Sequence, residues 1–101
     1  MSYSYTTITN TCDMSTNNLE YYEYFFIDAF SGNIEIILPI AYDGSFYQFQ
    51  RVDNSSNTVT FYPASGGDTI NGTSSMIFPI NRYSQIIKNG TNWRMARISY
   101  N

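Results

Sequence analysis

Histidine is absent from this chain, and cysteine occurs once, at Cys12. Those shortages exclude Ser-His-Asp and Cys-His nucleophilic arrangements, an imidazole metal site and any disulfide within the chain. Basic residues are scarce as well: five Lys and Arg against eight Asp and Glu leave a net charge of −3. So little positive charge provides no electrostatic footprint for a nucleic acid or an anionic membrane. No apolar run approaches the ~18 residues of a membrane span. The opening stretch, Met1 to Asn10, is polar, with no charged segment ahead of an apolar one. Neither membrane insertion nor a cleavable signal peptide is expected.

Helix-building residues are thin too, with one Lys, two Leu and four Ala; these are the residues that favour helix interiors. In their place stand 11 Asn, 12 Ser and 10 Thr, a third of the 101 residues, with 12 Ile, 10 Tyr and 7 Phe. β-branched and aromatic side chains fit pleated strands, while Asn and Ser supply turns. The composition predicts an all-β fold. An aromatic share of 18% excludes a disordered tail, because that much ring surface does not stay in water. The length suits one domain whose core is thin, covering roughly 65% of the unfolded surface.

Along the chain, residues 1–18 read as a lead-in segment, either an extended strand or a linker, and residues 19–101 as the β domain. The crowded aromatics of Tyr21 to Ile27 predict a strand within Leu19 to Phe30, followed by a turn at Ser31-Gly32-Asn33. Ile34, Ile36 and Leu38 alternate up to Pro39, which a central ladder does not tolerate and which ends the strand. Asp43-Gly44 turns into a strand from Phe46 to Val52, with Tyr47, Phe49 and Arg51 on one side and Phe46, Gln48, Gln50 and Val52 on the other. Asp53 to Asn57 is a loop of consecutive turn formers, and Val59 and Phe61 point inward from the next strand. Asn71-Gly72 is the best two-residue hairpin turn of the primed type, in which Gly72, and Gly90 after Asn89, adopt positive φ at no steric cost. Met76 to Phe78, Tyr83 to Lys88 and Trp93 to Ile98 complete about seven or eight short strands at the roughly 8–12-residue spacing of a sandwich or barrel. No internal repeat of roughly 20–50 residues is visible.

Several of these pieces occur in a recognisable order: Ile34-Glu35-Ile36-Ile37-Leu38-Pro39, Gly44, Tyr47 to Asp53, Asn57 to Phe61, Gly67-Asp68-Thr69-Ile70-Asn71-Gly72, Ser84, and Asn89-Gly90-Thr91-Asn92-Trp93. The string resembles the head or tip domain of viral fibre proteins, found in phage tail and head fibres and in fibres of large DNA viruses and virophages. It covers roughly Tyr24 to Ser99. The resemblance implies a small β head, often trimeric, that ends a fibre and touches a host surface or scaffold. With the strand spacing it predicts a compact antiparallel β-sandwich or jelly-roll-like knob on the virion that attaches to a host-surface glycan or protein receptor. The aromatic segment Tyr21 to Phe26 and the basic finish at Arg94 and Arg97 depart from the family's pattern. Within any such fold Trp93 is a core residue, whose truncation to Ala costs roughly 3–5 kcal/mol.

The carboxylates Asp13, Glu20, Glu23, Asp28, Glu35, Asp43, Asp53 and Asp68 show no pair converging as a glycosidase needs. Asp43, Asp53 and Asp68 lie in turn sequences, where Asp bonds its own backbone. No enzyme, metal or cofactor is expected. Asn54-Ser55-Ser56, Asn71-Gly72-Thr73 and Asn89-Gly90-Thr91 match the glycosylation acceptor pattern, at the frequency this composition produces by chance. Arg82, Lys88, Arg94 and Arg97 concentrate the basic charge late in the chain, to pair with nearby acids or across a subunit contact, with an acidic glycan or a partner's carboxylates as the alternative. A thin core does not enclose all 18 rings of Tyr, Phe and Trp, so some lie in a subunit interface or on a ligand face, where Tyr is favoured. The sequence therefore predicts a non-enzymatic homotrimeric head, with Asp53, Asn54, Ser55, Ser56, Asn57, Asn71, Gly72, Thr73, Ser74 and Ser75 as receptor-contacting loops. A structural trimerisation or capsid-decoration module without a receptor is the alternative.

Overall fold

The computed structural model describes residues 3–64, 67–78 and 82–99. Its strands are β1 (Tyr5–Ile8), β2 (Cys12–Asp13), β3 (Tyr24–Ile27), β4 (Ile34–Ile37), β5 (Phe46–Arg51), β6 (Val59–Tyr62), β7 (Thr69–Ile70), β8 (Met76–Ile77), β9 (Arg82–Asn89) and β10 (Asn92–Ser99). One turn of 3-10 helix spans Leu19–Tyr21, and no α-helix occurs among the described residues. The fold is all-β.

The first six strands build no hairpins. The chain passes back and forth between two sheets, so β1, β3 and β5 pair in parallel in one, and β2, β4 and β6 in the other. Three coils stack in a solenoid-like arrangement: Tyr24 lies opposite Gln48 and Cys12 opposite Ile36, each 24 residues further on. The later strands reverse direction. β9 runs antiparallel to β5, β10 to β9 and β8 to β6, while β7 lies parallel to β10. The sheets are ordered β1-β3-β5-β9-β10-β7 and β2-β4-β6-β8.

This arrangement corrects the expected antiparallel sandwich or jelly roll. Period-2 alternation fixes which side chains face inward, but it is the same in parallel and antiparallel ladders. Strand direction is decided by the connections, and here residues 9–11, 14–23, 28–33, 38–45 and 52–58 cross between sheets. Ten strands replace seven or eight because β1 and the two-residue strands β2 and β7 fall in polar sequence. The expected strand within Leu19 to Phe30 divides into the 3-10 turn and β3. Residues 3–18 do not stand apart as a linker: β1 and β2 open both sheets, and Ile8 and Met14 enter the core.

Inward side chains from both sheets meet in one cluster, among them Phe25, Ile27, Ile34, Ile36, Phe49, Val59, Phe61, Phe78 and Trp93. Rings form a continuous chain across it. Phe25 stacks on Phe49 at 5.0 Å between centroids, Phe49 meets Phe61 edge-on at 4.9 Å, and Phe61 meets Phe78 at 5.6 Å. Edge-to-face and offset pairs of this kind contribute roughly 0.5–1.5 kcal/mol each beyond area burial. Trp93 is fully buried as predicted, beside Tyr47.

The Asn71-Gly72 turn forms as read, with φ of 49° and 79° and reciprocal backbone bonds between Ile70 and Thr73. Both central residues have positive φ, as the primed hairpin turn requires. The β9–β10 turn is centred one residue later than expected: Gly90 and Thr91 join Asn89 to its partner Asn92. Gly90 takes φ of 66°.

Candidate recognition face

The strands of the six-stranded sheet alternate inward and outward, and their outward residues align in rows across it. Register places Tyr5, Tyr24, Gln48, Gln85 and Ala96 side by side on β1, β3, β5, β9 and β10. The next row holds Thr7, Phe26, Gln50 and Tyr83. On the other side of the first row lie Phe46, Ile87 and Arg94. Tyr3 reaches over β3 from the chain ahead of β1, its ring 6.3 Å from that of Tyr24.

The result is an aromatic surface braced by amides. Tyr24 packs on Phe26 at 5.3 Å, and Tyr5 meets Phe26 edge-on at 5.8 Å. The Tyr24 hydroxyl donates to Gln50 Oε1 at 3.1 Å, the Tyr83 hydroxyl to Gln48 Oε1, and Gln85 Nε2 to the Tyr83 oxygen at 2.9 Å. Tyr3, Tyr5, Tyr24 and Phe26 line a hollow of about 440 Å³. A second, of about 330 Å³, lies toward Phe46, Ile87 and Arg94. Tyr3 and Tyr5 remain 58% and 65% exposed, so this face is open.

The loop residues expected to contact a receptor divide between side chains bonded into the fold and exposed ones. Asp53 is buried and takes a two-point bond from Arg51, Nε to Oδ1 at 3.0 Å and Nη2 to Oδ2 at 3.1 Å. Ser55 Oγ donates to Asp53, and Asn57 Nδ2 donates to the Ala29 carbonyl at 2.7 Å. Burial pushes the Asp53 carboxyl up, but bonds from Arg51, the Ala29 N–H and Ser55, with the Arg51 charge, outweigh it and hold the group well below the usual carboxylate range. In the second loop, Asn71 bonds the Met95 backbone on both sides, Nδ2 to its carbonyl and Oδ1 from its N–H, each at 2.9 Å. Gly72 N–H donates to Asn92 Oδ1, and Thr73 Oγ1 to the Ile70 and Ser75 carbonyls. Asn54, Ser56 and Asn71 to Ser74 remain exposed, and Ser75 is half-buried. The loops do not converge: one is tied to the 28–33 turn and the other to β10.

Other predicted positions take local roles. Asp43 Oδ1 accepts from the Gly90 N–H at 2.7 Å, binding two turns together. Lys88 Nζ pairs with Asp68 at 3.0 Å and sits 5.2 Å over the Trp93 ring. Arg94 donates to Asn89 Oδ1; the side chains of Arg82 and Arg97 lie outside the described residues. Burial, and then the neighbouring Asp13 charge, pushes the Cys12 thiol up to about 11, so it is a poor nucleophile at neutral pH. No group of three or more His, Cys, Asp or Glu able to hold a metal occurs among the described residues.

Sequence reading missed the aromatic–amide face. Its signal was present strand by strand, in Tyr24 with Phe26 and in Gln48 with Gln50, but the rows exist only once strand neighbours and register are known. No protein-family model matches this chain, and no curated protein is significantly similar to it.

Proposed function

We propose that this chain is a non-enzymatic viral fibre head that trimerises and attaches to a host-surface receptor or glycan. One observation carries the reading: much of the aromatic and aliphatic surplus lies on the outside of the single chain. Tyr42, Tyr21, Phe30 and Ile40 are 91%, 78%, 77% and 74% exposed. Tyr21, Ile40 and Tyr42 share the side on which the chain returns from the small sheet to the large one, where Ile40 N–H donates to Ser15 Oγ and joins the two connections. Exposed apolar groups gathered on one side mark a contact surface, and identical copies around a three-fold axis cover such a surface by heterologous contacts that close.

The alternative, an assembly or capsid-decoration module without a receptor, is favoured by the bonding of Asp53, Ser55 and Asn57 to Arg51 and the 28–33 turn. Solution molar mass and surface binding separate the readings. A mass near 35 kDa, three times 11.6 kDa, with glycan or cell binding supports the fibre head. The same mass without binding supports the assembly module, and 11.6 kDa rejects the trimer.

A further inference from the structure

We propose that the outer face of the six-stranded sheet is a platform for neutral saccharides. The inference rests on the attachment reading and deepens it, moving the ligand from the loops to the rows of Tyr24, Phe26, Gln50 and Tyr83. Sugar rings present C–H faces of slight positive potential, which complement the negative faces of aromatic rings. Their hydroxyls need donors and acceptors at the rim, which amide and phenol groups supply.

Three features of the face select this occupant. The three rows hold no carboxylate, and their one described cation, Arg94, stands at the margin and bonds Asn89. A strongly charged ligand finds little to neutralise it. The area is small: five strands by three rows measure roughly 19 Å by 13 Å between backbone positions, far less than the ~800 Å² per partner of a stable protein interface. The hollow among Tyr3, Tyr5, Tyr24 and Phe26, about 440 Å³, instead falls in the ~300–1,000 Å³ range of small-ligand sites. Finally, the rings are already fixed: Tyr24 by Gln50 and Tyr83 by Gln48 and Gln85. Side chains ordered beforehand cost less to bind.

The test is an array of neutral hexose and N-acetylhexosamine oligosaccharides beside sialylated and sulfated ones, probed with the full chain. Wild type binds neutral glycans. Tyr5→Ala, which removes an exposed ring, and Gln85→Glu, which puts a carboxylate on the face, each weaken that binding at least tenfold with unchanged far-ultraviolet circular dichroism and thermal midpoint. Asn54→Ala and Ser74→Ala bind like wild type. Binding that survives the face substitutions and is lost in the loop variants overturns the platform and leaves attachment standing. Binding confined to acidic glycans does the same. Adhesion of labelled protein to cells that persists after enzymatic removal of glycans, with an empty array, overturns the platform and keeps a protein receptor. No adhesion to either overturns both readings.

Discussion

Tyr24 and Tyr83 stack across the strand between them, ring centroids 6.2 Å apart and planes inclined by 28°. Each hydroxyl donates to a different glutamine of β5, Tyr24 to Gln50 and Tyr83 to Gln48. β5 is also where the parallel coils meet the antiparallel cap, since it pairs with β3 on one side and β9 on the other. The same contact therefore joins the two halves of the sheet and shapes its outer surface. Tyr83→Phe removes one hydroxyl and leaves the ring. It breaks the bonds to Gln48 and from Gln85 and takes the donor from the buried Gln48 oxygen, so it is expected to destabilise the fold by about 1–3 kcal/mol, measured as a lower urea midpoint with an unchanged slope.

Asp53 and Arg51 form an ion pair whose side chains are 3% and 2% exposed. Asp53→Asn removes the carboxylate charge that faces the buried guanidinium and is expected to cost roughly 3–5 kcal/mol. The pH dependence has a definite sign. The folded-state carboxyl titrates below its ordinary value, so its stabilisation is complete above about pH 4, the unfolded value. It is lost as pH falls from there toward the folded value. Unfolding midpoints of the wild type should drop more steeply below about pH 4 than those of Asp53→Asn. Parallel slopes would show that the pair does not couple to folding.

Ser84 Oγ is buried and has no hydrogen-bond partner among the described residues, on β9 opposite Phe49 of β5. An unpaired buried hydroxyl carries a desolvation cost of about 1–3 kcal/mol. Ser84→Ala should therefore keep the melting temperature or raise it by about 4–8 °C per kcal/mol recovered. A fall of that size would mean that the hydroxyl is satisfied in solution.

The Asn71-Gly72 turn illustrates what was legible in the sequence. Its two residues carry their own conformational requirement, so local chemistry fixed the turn without knowledge of its neighbours. Trp93 and the inward set Val59 and Phe61 were legible for a related reason, since size and alternation are local. Strand direction was not. Nothing in Ile34-Glu35-Ile36-Ile37 states whether its neighbour is the next strand or the one after it, and the polar crossings at 28–33 and 52–58 resemble hairpin loops. The sequence shows Asp53 and Asn57 as loop residues with bonding side chains, but not what those side chains bond. In the fold, those side chains satisfy the buried Arg51 and the Ala29 carbonyl.

Gly72 lies at φ 79° with nothing within 4 Å of the position a Cβ would take. The cost of adding a side chain there is conformational rather than steric. Gly72→Ala should destabilise by about 1–2 kcal/mol, the range for a left-handed non-glycine residue. Asn71→Ala should cost more, because it also breaks both bonds to Met95. If Gly72→Ala were the more damaging of the two in thermal unfolding, the pairing of Asn71 with β10 would not be what secures the turn.

Tyr21 and Tyr42 provide the last prediction, because their exposure separates assembly from folding. At 78% and 91% exposed, they contribute little to the core of one chain, and surface substitutions away from packed features usually change stability by about 0.5 kcal/mol or less. Aromatic groups closed into a subunit contact, by contrast, carry much of the association energy, with truncation costing about 2 kcal/mol or more at a central position. The double substitution Tyr21→Ser and Tyr42→Ser should leave the circular dichroism spectrum intact while shifting solution mass from near 35 kDa, three times 11.6 kDa, to 11.6 kDa. Tyr5→Ala on the sheet face should leave that mass unchanged. Opposite outcomes for the two sites would place the subunit contact on the sheet and the ligand surface at the side of the coils.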